Sequence, residues 1–229
     1  MTSGASVLPY HLHRRLKTQQ LYFFKFIPDY ILLANKISFT GTNTGHKMFT
    51  DQEIIEQTKK WINNVVVGCN FCPFAANVVK QQTIRYRVET STSSNICLET
   101  FLLEAINMDD DTAIETGFLI FPNAFQNFDD YLDIVSVAEK LLLQNGYEGI
   151  YQVASFHPLY LFANSVEKDA ANYTNRSIYP MLHLLREASI DKALENYKNP
   201  EGIPDININF ARNKGLVYMK MLRDGCLKG

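Results

Sequence analysis

Residues 177–188 read SIYPMLHLLREA. Ser177 has the side chain of a helix N-cap, and Pro180 falls in the first turn, where its missing N–H costs nothing. At about 100° per residue, Met181, Leu184, Leu185 and Ala188 gather on one side and His183, Arg186 and Glu187 on the other. The spacing predicts an amphipathic helix that starts beside Arg176. Free main-chain N–H groups next to a guanidinium form a ready anion site.

Upstream of this segment the chain alternates between two periodicities. TDQEIIEQTKKWINNVVVG (residues 50–68) opens with a capping box, Thr50 and Glu53, and places Ile54, Thr58, Trp61, Ile62 and Val65 at helical spacing up to Gly68. TIRYRVE (residues 83–89) alternates Ile84, Tyr86 and Val88 with Arg85 and Arg87, as a strand with one buried face does. Residues 96–106 then read as a helix, GFLIFP (residues 117–122) as a buried strand, residues 128–145 as a long helix ended by Gly146, and GIYQVASF (residues 149–156) as a third strand. Strands alternating with helices predict one α/β domain, with a small parallel or mixed sheet, crossover helices and a helical C-terminal part. An α+β two-layer sandwich is the alternative. Ligands of open sheets bind beyond the carboxyl ends of the strands. Three loops are expected to meet there: residues 90–95, the turn at Pro122 and Asn123, and the loop that begins at His157.

Composition narrows the partners. Six of the 22 basic residues but one of the 24 acidic ones fall in residues 1–47, so residues 48–229 carry a net charge near −7. An acidic body has no general attraction for the phosphates of a duplex, and nucleic acid is not an expected partner. LYFFKFIPDYILLA (residues 21–34) is interrupted by Lys25, Pro28 and Asp29, too often to span a bilayer. Residues 1–47 read as a translated upstream region before a start at Met48, with an organelle transit peptide as the alternative. The four cysteines do not make a disulfide scaffold, so the expected location is the cytoplasm.

The loop and helix around residues 157–187 hold most of the groups able to do chemistry. His157 follows a buried strand and precedes Pro158, which biases it toward an extended backbone. It could act as a general base, or hydrogen-bond to nearby main chain. His183 could share a site with it or lie on a solvated helix face, where a pair with Glu187 at i,i+4 needs no function. Arg176, Arg186, Asn172, Asn175 and Ser177 are the candidate ligand-binding groups. Cys72 of the CNFC run (residues 69–72) could be a nucleophile if His157 approached it, or a packed thiol. Arg85 and Arg87 read as residues of a half-exposed sheet face.

CPFA (residues 72–75), QVASFHPLYLFA (residues 152–163) and NYTNRSIYPMLHLLREASIDKAL (residues 172–194) resemble the motifs of a family described as domain of unknown function 1415. The resemblance runs from about residue 53 to about residue 214. It places Cys72, His157, Asn172, Asn175, Arg176, His183, Arg186 and Glu187 on motif positions and implies no reaction. Where the family pattern has an acid after FHP, this chain has Leu159, and Cys69 falls outside the motif.

The expected function is an enzyme acting on a small anionic metabolite. Arg176, Arg186 and the helix N-terminus would hold the anion, and His157 or His183 would move a proton, with Cys72 and Glu187 as further catalytic candidates. The runner-up is a non-catalytic module that binds an anion or a partner. The third reading is a mononuclear metal site using His157, His183 and Cys72 or Glu187. No cofactor is implied.

Overall fold

The computed structural model describes residues 49–195 and 197–227. The expectations for residues 1–47 lie outside them. Helix α1 (Asp51–Trp61) begins at the expected capping box: the Glu53 amide donates to Thr50 Oγ1 at 3.2 Å, and the Thr50 amide donates to Glu53 Oε2 at 2.8 Å. The helix continues as a π-helical turn, Ile62–Val67, instead of staying α-helical to its end. Gly68 is required there by close approach, because a Cβ would stand 2.4 Å from the Asn64 carbonyl oxygen.

Helix α2 (Ala75–Gln81) follows the CNFC run and leads into β1 (Ile84–Val88). Helix α3 (Ser94–Asp110), β2 (Thr116–Ile120), helix α4 (Phe128–Gln144) and β3 (Tyr151–Phe156) then come in the order that the periodicities predict.

Residues 181–186 do not follow the helical expectation. Met181–Arg186 is a strand, β4, and no helix begins at Ser177. Helix α5 (Glu187–Leu194) starts where the predicted helix was to end, and α6 (Ile203–Lys214) and α7 (Leu216–Asp224) are the last helices of the described residues. The sheet order is β1-β2-β4-β3, with β1 and β2 parallel and β4 antiparallel to both of its neighbours. The α4 crossover therefore leaves a gap one strand wide between β2 and β3, and β4 fills it. A helix at residues 178–188 would leave two inner strand edges without partners, a cost far above the helical preference of leucine. Met181, Leu182, Leu184 and Leu185 are all buried, as in a strand covered on both faces. Such an apolar run carries little periodicity to distinguish strand from helix.

The two faces of the sheet have separate cores. Ile84, Tyr86, Phe118, Ile120, Met181 and Phe156 face α1 and the C-terminal helices, with Trp61 set edge-on to Phe156 at 5.1 Å between ring centres. Leu119, Phe121, Leu182, Leu184 and Tyr151 face α3 and α4. Tyr131 of α4 ties the second layer to the sheet. Its hydroxyl donates to the Met181 carbonyl at 2.6 Å and accepts from the Phe156 amide at 2.9 Å, standing between β3 and β4 at the end of their ladder.

Candidate functional site

Because β1, β2 and β3 all run the same way, their carboxyl ends lie together, and the three expected loops do meet. Asn123 Nδ2 donates to the Thr90 carbonyl at 3.0 Å, and His157 Nε2 lies 2.8 Å from the Phe125 carbonyl. Residues 157–180 leave β3 and return to β4 at this same end, with one turn of 3-10 helix, Ala170–Thr174, as their regular structure. A long loop of this kind has many main-chain groups to satisfy. The polar residues that mark the segment in sequence supply the partners.

Each of them is accounted for by that task. Asn172 is fully buried; its Oδ1 accepts from the Phe162 amide at 3.1 Å and its Nδ2 donates to the Val166 carbonyl at 2.9 Å. Asn175 Oδ1 accepts from Thr174 Oγ1 at 2.9 Å, and its carbonyl accepts from the His157 amide at 3.3 Å. The Ser177 hydroxyl donates to the Tyr179 carbonyl and caps no helix. Arg176 donates from Nε to the Tyr160 carbonyl at 2.9 Å and from Nη2 to the Glu167 carbonyl at 3.2 Å. Its guanidinium lies 5.0 Å from the centre of the Tyr173 ring, and that of Arg223 lies 5.2 Å from it. Arg223 donates to the Pro158 carbonyl, so two arginines around one aromatic ring hold the 158–160 segment. The anion site expected at a helix N-terminus beside Arg176 is not there, because the helix is not there.

The two histidines do not share a cavity. His157 packs on the α4 side of the sheet, 4.9 Å from Tyr131 and 5.2 Å from Phe128 between ring centres. His183 lies on the opposite face, stacked on Phe118 at 3.9 Å. The Leu159 amide donates to His157 Nδ1, so the proton sits on Nε2 and is given to the Phe125 carbonyl. Burial lowers the pKa of this imidazole from its ordinary value. For His183 the logic is similar: Thr116 Oγ1 gives its proton to the Leu184 carbonyl and accepts from His183 Nε2 at 2.6 Å. Burial among aromatic rings pushes the pKa of His183 down to about 3. Both rings are neutral in the fold at ordinary pH.

Arg186 reaches the other end of the sheet. It donates to the carbonyls of Ile114 at 2.9 Å and Met108, and to the Tyr151 hydroxyl at 2.9 Å, closing the C-terminus of α3. Glu187, next to it, lines an open groove of about 340 Å³. A second groove, of about 310 Å³, lies at the amino ends of β1 and β2. Neither is lined by His157, His183 or Arg176. Arg85 is paired with Glu104 of α3 at 2.5 Å, a half-exposed sheet residue as expected.

A family model described as "Protein of unknown function (DUF1415)" matches residues 53–221, most of the chain. The chain belongs to this family. No curated protein and no solved structure matches it. The family match spans Cys72 and the whole 157–187 segment, so the loop-building side chains described above lie within the family's own region.

Cys72 is half-buried between core clusters. Burial raises the pKa of its thiol; the Phe74 and Ala75 amides oppose the shift without reversing it. Its alkylation at neutral pH is therefore expected to be slow in the folded chain and fast after unfolding. Rapid stoichiometric labelling of Cys72 under native conditions would contradict this.

Among the described residues no group of three His, Cys, Asp or Glu side chains could hold a metal ion, so the proposed His157, His183 and Cys72 or Glu187 set is not assembled. None of their helices is long and apolar enough to cross a membrane. The groove beside β3 was not legible in sequence. Its one signal was the uncharged strand IYQVASF (residues 150–156) after the Tyr147-Glu148-Gly149 turn.

Proposed function

We propose that this chain is a non-catalytic partner-binding module. The observation that carries the reading is the use of His157, Asn172 and Arg186: each spends its hydrogen-bonding groups on main-chain or side-chain atoms of the same chain. A general base must reach the proton it takes, and an anion-binding arginine needs donors to spare. These residues make the 157–180 loop and the end of β4 rigid, which suits a surface that presents fixed shapes to a partner. The acidic balance of residues 48–229 favours a protein or peptide partner over nucleic acid. All four cysteines are free, which supports a reducing compartment such as the cytoplasm.

One observation favours the competing reading, a small anion held at the carboxyl end with or without chemistry. Arg176 is 7% exposed and forms no ion pair with a carboxylate among the described residues. Titration with a panel of phosphorylated and carboxylated metabolites, followed through the Arg176 Nε–H and His157 ring resonances, separates the two. The module reading expects neither resonance to move. A saturable shift of both by any one metabolite would overturn it.

A further inference from the structure

We propose that the outer edge of β3 and the groove beside it receive an extended, cationic peptide segment of a partner protein as a fifth strand. The inference rests on the partner-binding reading and names its surface and partner.

Among the described residues β3 is an edge strand, hydrogen-bonded within the sheet to β4 alone. The Glu187 amide donates to the Ile150 carbonyl at 3.0 Å, which sets the alternation of the antiparallel ladder: Ile150, Gln152 and Ala154 turn their main-chain groups toward β4. The bridge from Phe156 through Tyr131 to Met181 keeps the same alternation. Tyr151, Val153 and Ser155 then turn theirs outward. The Tyr151 amide is taken by the Tyr147 carbonyl, and the Ser155 carbonyl is reached by Asn175 Nδ2 at 3.5 Å. Among the described residues that leaves the Tyr151 carbonyl, both Val153 groups and the Ser155 amide as a short template for another strand.

The two sheet edges are treated differently. β1 carries Arg85 and Arg87, charges of the kind that discourage edge pairing. β3 carries no charged residue and no proline. Beside it, Leu142, Leu143, Tyr147 and Val153 contribute apolar surface to the groove, with Leu143 55% exposed. Glu139, Glu148 and Glu187 are its charged residues, and among the described residues no lysine or arginine lines it. Apolar side chains on one face of an added strand would rest on Leu143, Tyr147 and Val153, and flanking cations would meet the glutamates. Charge also selects against a second copy of this chain, because pairing two β3 edges would bring two sets of these glutamates together.

The test uses the full chain and a capped octapeptide in which valine alternates with lysine, read by amide shifts and hydrogen exchange. Saturable binding is expected, with shifts centred on residues 149–153 and 187 and slowed exchange at the Val153 and Ser155 amides. Glu139→Lys with Glu148→Lys, both exposed, should weaken binding about tenfold or more, since two attractive contacts become repulsive. Val153→Pro removes an outward N–H that no ladder bond uses, and should abolish binding while the fold persists. An octapeptide with glutamate in place of lysine should not bind. The proposal is overturned by no saturable binding, by shifts centred elsewhere, by equal affinity for the acidic peptide or for the charge-reversed variant, or by self-association through the same edge. Those results leave the partner-binding reading standing; a metabolite that saturates Arg176 would remove that reading itself.

Discussion

Arg186→Ala is expected to lower the stability of the domain by about 3 kcal/mol, and to lower its melting temperature by roughly 6–12 °C. The guanidinium ties together elements that meet at that end of the sheet, beside the Tyr151–Asp109 and Ser189–Glu115 hydrogen bonds. It rises from the last residue of β4 and donates to Met108 and Asp111 at the end of α3, to Ile114 before β2, and to Tyr151 at the start of β3. The C-terminal carbonyls of a helix have no intrahelical donor, and here a side chain from another element provides one. Truncation leaves several part-buried acceptors unpaired at once, each worth about 1–3 kcal/mol but not additive, because water reaches some of them. Arg186→Lys keeps the charge but not the planar fork, and should recover less than half of the loss. Chemical denaturation of wild type, Arg186→Ala, Arg186→Lys and the exposed-site control Arg87→Ala measures this. A loss of under about 1 kcal/mol for Arg186→Ala would show that the network adds little to the fold.

The second large effect is on pH dependence. His183 is pushed down to about 3 by burial, whereas the unfolded chain binds that proton near 6.5. A lowered folded pKa means that the unfolded state takes up the proton first as pH falls. The stability from keeping His183 neutral is complete above about pH 6.5 and is lost toward pH 3, at up to about 1.4 kcal/mol per unit. Wild type should lose about 2.5 kcal/mol between pH 7 and 4.5 through this one group. His157, also lowered, adds to the loss in the same direction. Asp169, held down to about 2 by Arg212, acts at lower pH, below the ordinary carboxylate range. His183→Phe isolates the effect, because Thr116 keeps its bond to the Leu184 carbonyl and the new ring can still stack on Phe118. Relative to the variant, wild type should lose stability steadily as pH falls from 6.5 to 4.5. A difference independent of pH would mean that His183 takes up its proton in the fold without penalty.

Helices α1, α3 and α4 and strands β1, β2 and β3 are legible in the sequence because each carries its own signal. Thr50 and Glu53 cap α1 through bonds three residues apart, Arg85 and Arg87 alternate with apolar residues in β1, and Asn127 caps α4 by accepting from the Asp129 and Asp130 amides. Such contacts are local, so spacing along the chain is spacing in space. The meeting of the carboxyl-end loops also followed from the order of elements. What failed was Met181–Arg186, and the anion site expected at a helix N-terminus beside Arg176 failed with it. That segment is apolar enough to be buried as either a helix or a strand, and no residue within it decides between them. The deciding term is the pair of unpaired edges on β2 and β3, formed by residues far away in the chain. The same holds for His157, Asn172 and Arg176. Their types and positions announce polar work, but a carbonyl of the same chain and an anion from solution ask for the same donor, and only the path of residues 157–180 shows which acceptor fills it.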